Sequence, residues 1–213
     1  MLGKWQTLPV YSKTDFGVYL GDAQHKVLLP GKQVPEGTVP GDEIEVFLYR
    51  DSSDRLIATV HNPLITIGEV RPLKVKQITK IGAFLDWGLE KDLFLPFRQQ
   101  TGKLEEGFWY PVALYVDKSD RLAATMWIDP YLPGADADEK KKAKSIIKLQ
   151  ADSENVYTIL RRKGGRLEYN DKADPSRIES DFGMSKNAFK RAVGVLYKAR
   201  RILISEDSIE ILS

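Results

Sequence analysis

The first 130 or so residues alternate apolar and polar positions over short segments that end at glycine, proline or Asp/Ser-rich turns. This alternation is typical of half-buried strands, whose successive side chains point to opposite faces of a sheet. In the second half of this region the pattern predicts strands at 67–77, 82–87, 92–96, 110–117 and 121–125. Five short strands favour a small Greek-key barrel of the OB type, because closure removes the sheet edges.

The alternating region contains one module twice. Residues 12–63 align with residues 77–129 when one residue is inserted after the first turn. The sequence "YRDSSDRLIAT" (49–59) then matches "YVDKSDRLAAT" (115–125) at eight of eleven positions. We therefore predict two tandem barrels, at 1–63 and 64–133, and interpret the two Asp/Ser-rich runs as hairpin turns between the last two strands of each barrel.

The pattern changes after residue 133. Residues 134–150, acidic and then basic, are predicted to form a linker or an exposed first helical turn. Residues 151–213 follow the order helix, short strand, helix, helix and hairpin. Ser153 is the expected N-cap of the first helix, the sequence "RLEYN" is the strand, and Pro175 and Ser185 are placed to begin the next two helices.

The final helix and hairpin complete the predicted third domain. Apolar residues recur at three- and four-residue spacing along the helix, which predicts a buried stripe: Phe189, Ala192, Val193, Leu196 and Ala199. The last residues, "RILISEDSIEIL", alternate around an acidic turn and predict a two-stranded wing. The expected fold class is mainly β with a C-terminal α+β domain: two five-stranded OB barrels and then a winged helix-turn-helix.

Composition excludes several classes of protein. Cysteine is absent, so the chain has no disulfide or thiolate metal site, and no apolar run approaches the roughly 20 residues of a membrane span. We expect a cytoplasmic protein without a membrane partner. Only two histidines occur, and neither has a set of carboxylates close to it in the sequence. No glycine-rich phosphate loop precedes a predicted helix. We therefore predict no enzymatic activity, no catalytic or metal-binding residue and no cofactor.

The segments "DFGVYL" and "KIGAFL" resemble the S1 RNA-binding domain, in which an aromatic residue follows a glycine by two positions on the second strand. The resemblance implies that Phe16, Tyr19 and Phe84 lie on the outer barrel face, where bases stack. On the third strand, Phe94 corresponds approximately to the position at which the family has a surface histidine. An open barrel with exposed aromatics would bind single-stranded RNA through stacking. The alternative is that these aromatics belong to the barrel core.

Charge is distributed unevenly among the predicted domains. In the second barrel Lys74, Lys76, Lys80 and Arg98 are candidates for a basic rim. Yet residues 1–133 contain 15 Lys/Arg and 17 Asp/Glu, whereas the whole chain has a net charge of +2. Stacking, supported by a local basic patch, is therefore the expected basis of nucleic-acid binding by the barrels.

The most basic segment is the final helix. Its candidate nucleic-acid ligands, extended by two arginines of the first helix, are Lys186, Asn187, Lys190, Arg191, Lys198, Arg201, Arg161 and Arg162. The corresponding helix of DNA-binding winged helices enters the major groove. A domain that recruits protein, with this helix as a solvated charged face, is the other interpretation, and DNA is the alternative nucleic-acid partner.

The run "MSKNAFKRAVGVLYKARRI", within residues 170–212, looks like the C-terminal winged helix of the bacterial CvfB family (conserved virulence factor B, or YitL-type S1 proteins). The resemblance implies an RNA-binding regulator that affects the expression of other genes, including virulence genes. It also implies a further S1 domain before the winged helix, where this chain has only residues 134–150. The alternative function is a DNA-binding or protein-recruiting regulator with the barrels as interaction modules.

Overall fold

The computed structural model describes residues 1–169 and 173–212. The first module is a closed barrel with strand order β1-β2-β3-β5-β4. Its strands are β1 (Trp5–Thr14), β2 (Gly17–Gly21), β3 (Lys26–Pro30), β4 (Glu43–Arg50) and β5 (Leu56–Thr59). We call it barrel 1. Valine, leucine and isoleucine side chains from the alternating positions fill its interior, as the pattern predicted.

The second module, barrel 2, repeats this arrangement with strand order β10-β9-β6-β7-β8. Its strands are β6 (Val70–Thr79), β7 (Gly82–Asp86), β8 (Leu93–Pro96), β9 (Trp109–Val116) and β10 (Leu122–Thr125). The prediction of two five-stranded barrels is confirmed. The predicted strand bounds in this copy agree with the observed bounds to within three residues.

The glycine that begins the second strand of each barrel has a steric role. Gly17 and Gly82 have φ angles of +145° and +152°, a region that side chains rarely occupy. A Cβ atom would lie 2.1 Å from the Leu29 carbonyl oxygen at the first position and 2.5 Å from the Leu95 oxygen at the second. The strand after the turn can therefore approach its neighbour closely only because these residues are glycine.

The two barrels share a hydrophobic core. Four consecutive residues of β4, at 46–49, are buried. Val46 and Leu48 belong to the interior of barrel 1, whereas Phe47 and Tyr49 pack with residues of barrel 2. Both rings meet Trp87 edge-on, with centroid separations of 6.0 Å and 6.1 Å. Strand alternation predicts one buried face, and the second face of β4 is buried by the neighbouring barrel.

Helix α1 (Ala137–Arg162) is much longer than predicted. The side chain of Asp136 caps it by accepting a hydrogen bond from the Glu139 amide at 2.9 Å. The prediction that Ser153 is the N-cap is therefore wrong: Ser153 is buried within the helix, and its hydroxyl donates to the Leu149 carbonyl. Most of the predicted linker is helical, and its Ile147 packs on barrel 2.

The winged helix-turn-helix is confirmed. After α1 follow β11 (Arg166–Leu167), α2 (Pro175–Phe182), α3 (Lys186–Lys198), β12 (Ile202–Ile204) and β13 (Ile209–Ile211), and the three strands pair in the order β11-β13-β12. Pro175 begins α2, and the Ser185 hydroxyl caps α3 as predicted. Four residues of the α3 stripe are buried, but Ala199 is exposed because the helix ends before it. Asn170, in the predicted strand "RLEYN", lies outside the described residues.

Candidate nucleic-acid interface

Barrel 2 presents a pair of aromatic rings on its outer face. Phe84 of β7 and Phe94 of β8 are direct cross-strand partners. Their ring centroids are 5.3 Å apart, and both side chains are half-buried. Their neighbours Leu85 and Leu93 occupy the core, which leaves the phenylalanines on the opposite face. The alternative that Phe84 fills the barrel core does not agree with this geometry.

Barrel 1 has a different outer face. Tyr19 aligns with Phe84 and is also half-buried, but its cross-strand partner is Leu28. The Lys26 ammonium lies 5.1 Å from the Tyr19 ring centroid and 5.9 Å from that of Tyr11. Tyr11 is 46% exposed and was missed by the sequence reasoning. It lies at the irregularity of β1 between Val10 and Ser12, where simple alternation fails.

Phe16 lies outside the strand face. It is 79% exposed in the tight turn between β1 and β2, and its carbonyl accepts a hydrogen bond from the Gly31 amide at 2.8 Å. The structure therefore places it at one end of barrel 1, so it forms no cross-strand aromatic pair of the kind seen in barrel 2.

The predicted rim of barrel 2 divides into separate groups. Lys80 and Arg98 are exposed. Lys76 forms an ion pair with Asp92 at 2.7 Å, and this hydrogen bond raises the pKa of the lysine. Lys74 is partly buried and lies in a cleft of about 450 Å³ between barrel 2 and α1, which Trp109 also lines. Of the four predicted cations, Lys80 and Arg98 are therefore exposed, whereas Lys76 is paired and Lys74 is partly buried.

Several of the predicted winged-helix ligands make contacts within the fold. Lys186 donates to the Ala173 carbonyl at 2.9 Å. Arg162 stacks on the Phe108 ring at 4.7 Å and donates to the Glu106 carbonyl. Arg201 forms a two-pronged ion pair with Glu154, and its guanidinium lies 4.0 Å from the Tyr157 centroid. Arg162 thus connects α1 to barrel 2, and Arg201 connects the winged helix to α1.

The other predicted ligands are on the surface. Asn187, Lys190, Arg191 and Lys198 are exposed on α3, and Arg161 is exposed near the end of α1. Burial raises the pKa of the nearby Asp152 carboxyl, and the positive charges of Lys148 and Arg191 oppose that rise. These surface cations can contact phosphates without disturbing the helix core.

The wing next to α3 is acidic. Glu206 and Asp207 at its tip line a cleft of about 640 Å³, together with Lys186 and Lys190 of α3. At the base of this cleft Tyr169 donates its phenolic hydrogen to Asp181. Burial and the hydrogen bond to that carboxylate raise the pKa of Tyr169 to about 12. The wing carboxylates would repel a phosphate placed between wing and helix.

Within residues 1–169 and 173–212, no three His, Asp or Glu side chains are grouped so that they could hold a metal ion. His25 lies on the surface, 3.5 Å from Asp22. Among the described helices, none is long and apolar enough to span a membrane.

Comparison with known proteins agrees with the domain types. The S1 domain model matches residues 2–61 and 67–127, and the CvfB-like winged helix domain model matches residues 154–211. The uncharacterized protein YitL of Bacillus subtilis is 26% identical over 268 residues, covering 94% of this chain and 90% of YitL. That alignment is longer than the chain itself, so YitL contains residues with no counterpart here.

Two further proteins are similar over most of the chain. Conserved virulence factor B of Staphylococcus saprophyticus is 25% identical, with 79% of each chain covered. A multidomain protein with nucleic acid binding domains from Streptococcus pneumoniae is 18% identical, with 99% of this chain and 98% of that chain covered at a TM-score of 0.52, so the two share a fold. Because the S1 domain model matches more than half of its length, the chain belongs to the S1-domain proteins, and its C-terminal domain is a CvfB-like winged helix.

Proposed function

We propose that this protein is a regulator that binds single-stranded RNA through the aromatic face of barrel 2 and the basic surface of the winged helix. Through that binding it would affect the expression of other genes, including virulence genes. The proposal assigns no enzymatic activity to the chain. The effect on virulence genes is extended to this chain from the name of its relatives, conserved virulence factor B, and nucleic-acid binding from the S1 domain type.

The neighbouring rings of Phe84 and Phe94 are the observation that carries the proposal. Two partly exposed rings 5.3 Å apart on an outer sheet face form a platform for an unpaired base. Stacking on one aromatic ring contributes about 1–3 kcal/mol per base and tolerates any base. A base within a duplex is already stacked on its neighbours, so such a platform favours single strands.

The charge pattern of the winged helix also supports a single strand over a duplex. In DNA-binding winged helices basic residues contact the duplex backbone. Here the α3 cations Lys186 and Lys190 share a cleft with Glu206 and Asp207 of the wing. A duplex lying along α3 would bring its phosphates close to these carboxylates, whereas a flexible single strand can pass along the exposed side of α3.

A protein partner for the winged helix is the second candidate. The cleft between α3 and the wing has an apolar floor that includes Phe189 and Ile209, with cations on one rim and carboxylates on the other. This mixture of charges suits a polypeptide better than a polyanion. In that case the barrels alone would bind RNA.

Binding to labelled RNA and DNA tests the proposal. We expect an unstructured RNA of about 12 nucleotides, within the range of site sizes for OB barrels, to bind more tightly than duplex DNA of equal length at matched salt. Because stacking is the main contribution, the affinity should fall only shallowly as salt rises. Tighter binding of the duplex, with a steep dependence on salt, would favour the DNA-binding alternative. Crosslinking in cells and mapping of the crosslinked RNAs would then identify the targets.

A further inference from the structure

A cleft of about 450 Å³ lies between barrel 2 and α1, and we call it the junction cleft. Lys74 and Trp109, which are cross-strand partners on β6 and β9, line its barrel side. Thr158 and Arg161, one turn apart on α1, line its helix side. Ligand sites commonly lie between domains, and this volume is within the range of small-molecule sites.

Helix α1 contacts barrel 2 on both sides of Thr158. The Asn155 side chain bonds the backbone of Trp109. Two turns later, Arg162 donates to the Glu106 carbonyl and lies so near Gly107 that a Cβ atom there would be 2.4 Å from its guanidinium. These two contacts are separated by about 10 Å of helix. The junction cleft is therefore bounded at both ends along the helix, which suits a small molecule better than a chain that must continue in both directions.

The junction cleft is rich in hydrogen-bond donors. Within the part of the chain that the structure describes, four of them have no hydrogen-bond or ion-pair partner: the Lys74 ammonium, the Trp109 indole nitrogen, the Thr158 hydroxyl and the Arg161 guanidinium. The Glu154 carboxylate also lines the cleft, but both of its oxygens accept from Arg201. Donors without acceptors suit a ligand with several acceptor oxygens, as a phosphate group has.

The charge of the lining also favours an anion. The lining contains four cations and one carboxylate, a net charge of +3: Lys74, Arg161, Arg162 and Arg201 with Glu154. Two of these arginines are already held by contacts within the fold, so they contribute positive potential and not free hydrogen bonds. A cleft with charge of one sign concentrates ligands of the opposite sign.

We propose that the junction cleft binds a free nucleotide. Its phosphate lies between Lys74 and Arg161 and accepts a hydrogen bond from Thr158, while its base packs against the Trp109 indole. The indole favours a nucleotide over inorganic phosphate, because a flat base gains stacking on an aromatic ring. The inference is independent of the RNA-binding function proposed above, because it uses neither the Phe84–Phe94 pair nor α3. A ligand held in this way contacts barrel 2 and α1 together.

Isothermal titration calorimetry of the full chain tests the ligand class. The probes are the ribonucleoside 5′-monophosphates, the corresponding nucleosides and inorganic phosphate, all at matched ionic strength. We expect a monophosphate to bind more tightly than either its nucleoside or inorganic phosphate, because the phosphate and the base contact different walls. A nucleoside that binds as tightly as its monophosphate would overturn the phosphate contacts, and no binding of any monophosphate would overturn the site.

Matched variants test the location. Lys74→Gln and Arg161→Gln each remove one phosphate contact, and we expect each to weaken monophosphate binding about 10-fold. The thermal unfolding temperature without ligand should stay close to that of the wild type, because neither side chain has a partner to lose. Lys118→Gln in barrel 2 and Lys148→Gln on α1 remove the same charge from exposed positions outside the cleft, and affinity should be retained. Equal losses in variants and controls would show an effect of net charge and overturn the site.

The 12-nucleotide RNA separates a free nucleotide from a backbone phosphate of RNA. We expect a saturating monophosphate to leave the RNA bound. Displacement of the RNA, together with a larger loss of RNA affinity in Lys74→Gln than in Lys118→Gln, would assign the cleft to the RNA backbone and overturn the free nucleotide. A wild-type protein that binds the monophosphate but not the RNA would overturn the proposed function and leave the junction cleft intact.

Discussion

At the scale of single residues, the two aligned aromatics Tyr19 and Phe84 have acquired different surroundings. The Phe84 ring packs against the Phe94 ring at an interplanar angle of 39°, whereas Tyr19 lies opposite Leu28 with the ammonium of Lys26 near its ring. The Lys26 ammonium competes with a base for one face of the Tyr19 ring, whereas the partly exposed rings of Phe84 and Phe94 lie next to each other. The residues opposite each aromatic, and not the shared glycine motif, therefore distinguish the two faces.

Truncation of Phe84 tests this difference. Phe84→Ala should lower RNA affinity about 5- to 100-fold because one stacking surface is lost, while the fold persists because the side chain lies outside the core. Tyr19→Ala is the matched variant in barrel 1 and should have a smaller effect. Anisotropy titrations and thermal unfolding of both proteins provide the measurements. Loss of the fold on Phe84→Ala would place that residue in the core, and unchanged affinity would exclude the platform.

The sequence allowed the outward direction of Phe84 to be predicted, but not the partners of the charged residues. Alternation with Leu85 determines which face a strand residue occupies. In contrast, Lys76, Arg162 and Arg201 looked like ligands because they are basic, and each has a partner far away in sequence. Such contacts depend on how the domains pack, which no local pattern contains.

At the scale of elements, α1 connects the barrels to the winged helix. Around the predicted linker its buried residues are Ile147 and Ala151, four residues apart, and Ala143 packs on the same cluster as Ile147. This stripe is narrow and the surrounding sequence is highly charged, so the segment looked like a linker. The strands and the last two helices were predictable because they have strong alternation or clear caps.

One asparagine joins α1 to the edge of barrel 2. The Asn155 side chain accepts a hydrogen bond from the Trp109 amide at 2.7 Å and donates one to the Trp109 carbonyl at 3.0 Å. It thereby satisfies both backbone groups at the start of β9, as a neighbouring strand would. The orientation of α1 on the barrel is fixed by this contact as well as by apolar packing.

Removal of this side chain should loosen the junction. Asn155→Ala leaves two partly buried backbone groups without their partner, and we expect a loss of about 1–3 kcal/mol in the free energy of unfolding. Urea denaturation measures that loss, and faster hydrogen exchange at the Trp109 amide should accompany it. Asn187→Ala, on the exposed face of α3, is the control and should change stability little. Equal stability of the two variants would contradict a structural role for Asn155.

At the scale of the whole molecule, the repeated Asp/Ser-rich hairpins meet each other. Arg50, beside the first hairpin, bonds Asp120 of the second, and Arg121 bonds Asp54 in return. The sequence predicts these two runs as hairpin turns, which explains their recurrence in structural terms first. The aspartates at aligned positions of the two hairpins thus both help to connect the barrels, but Arg50 aligns with Val116, so the duplication does not supply both arginines.

Apolar packing should nevertheless contribute more than these ion pairs to holding the barrels together. Trp87 is only 2% exposed and contacts Phe47 and Tyr49 of barrel 1, so Trp87→Ala should cost about 3–5 kcal/mol of unfolding free energy. The Arg121–Asp54 pair is partly exposed to solvent, so Asp54→Asn should cost less than about 1 kcal/mol.

Denaturant unfolding in low and high salt distinguishes these two contributions. If packing dominates, the midpoint of the wild-type protein depends weakly on salt, and the Trp87→Ala protein unfolds in separate steps as the barrels become independent. Trp127→Ala removes a tryptophan that is 59% exposed and serves as the matched control, with a much smaller change in stability. A large salt-dependent loss in Asp54→Asn, together with a small loss in Trp87→Ala, would instead make the reciprocal ion pairs the main connection between the barrels.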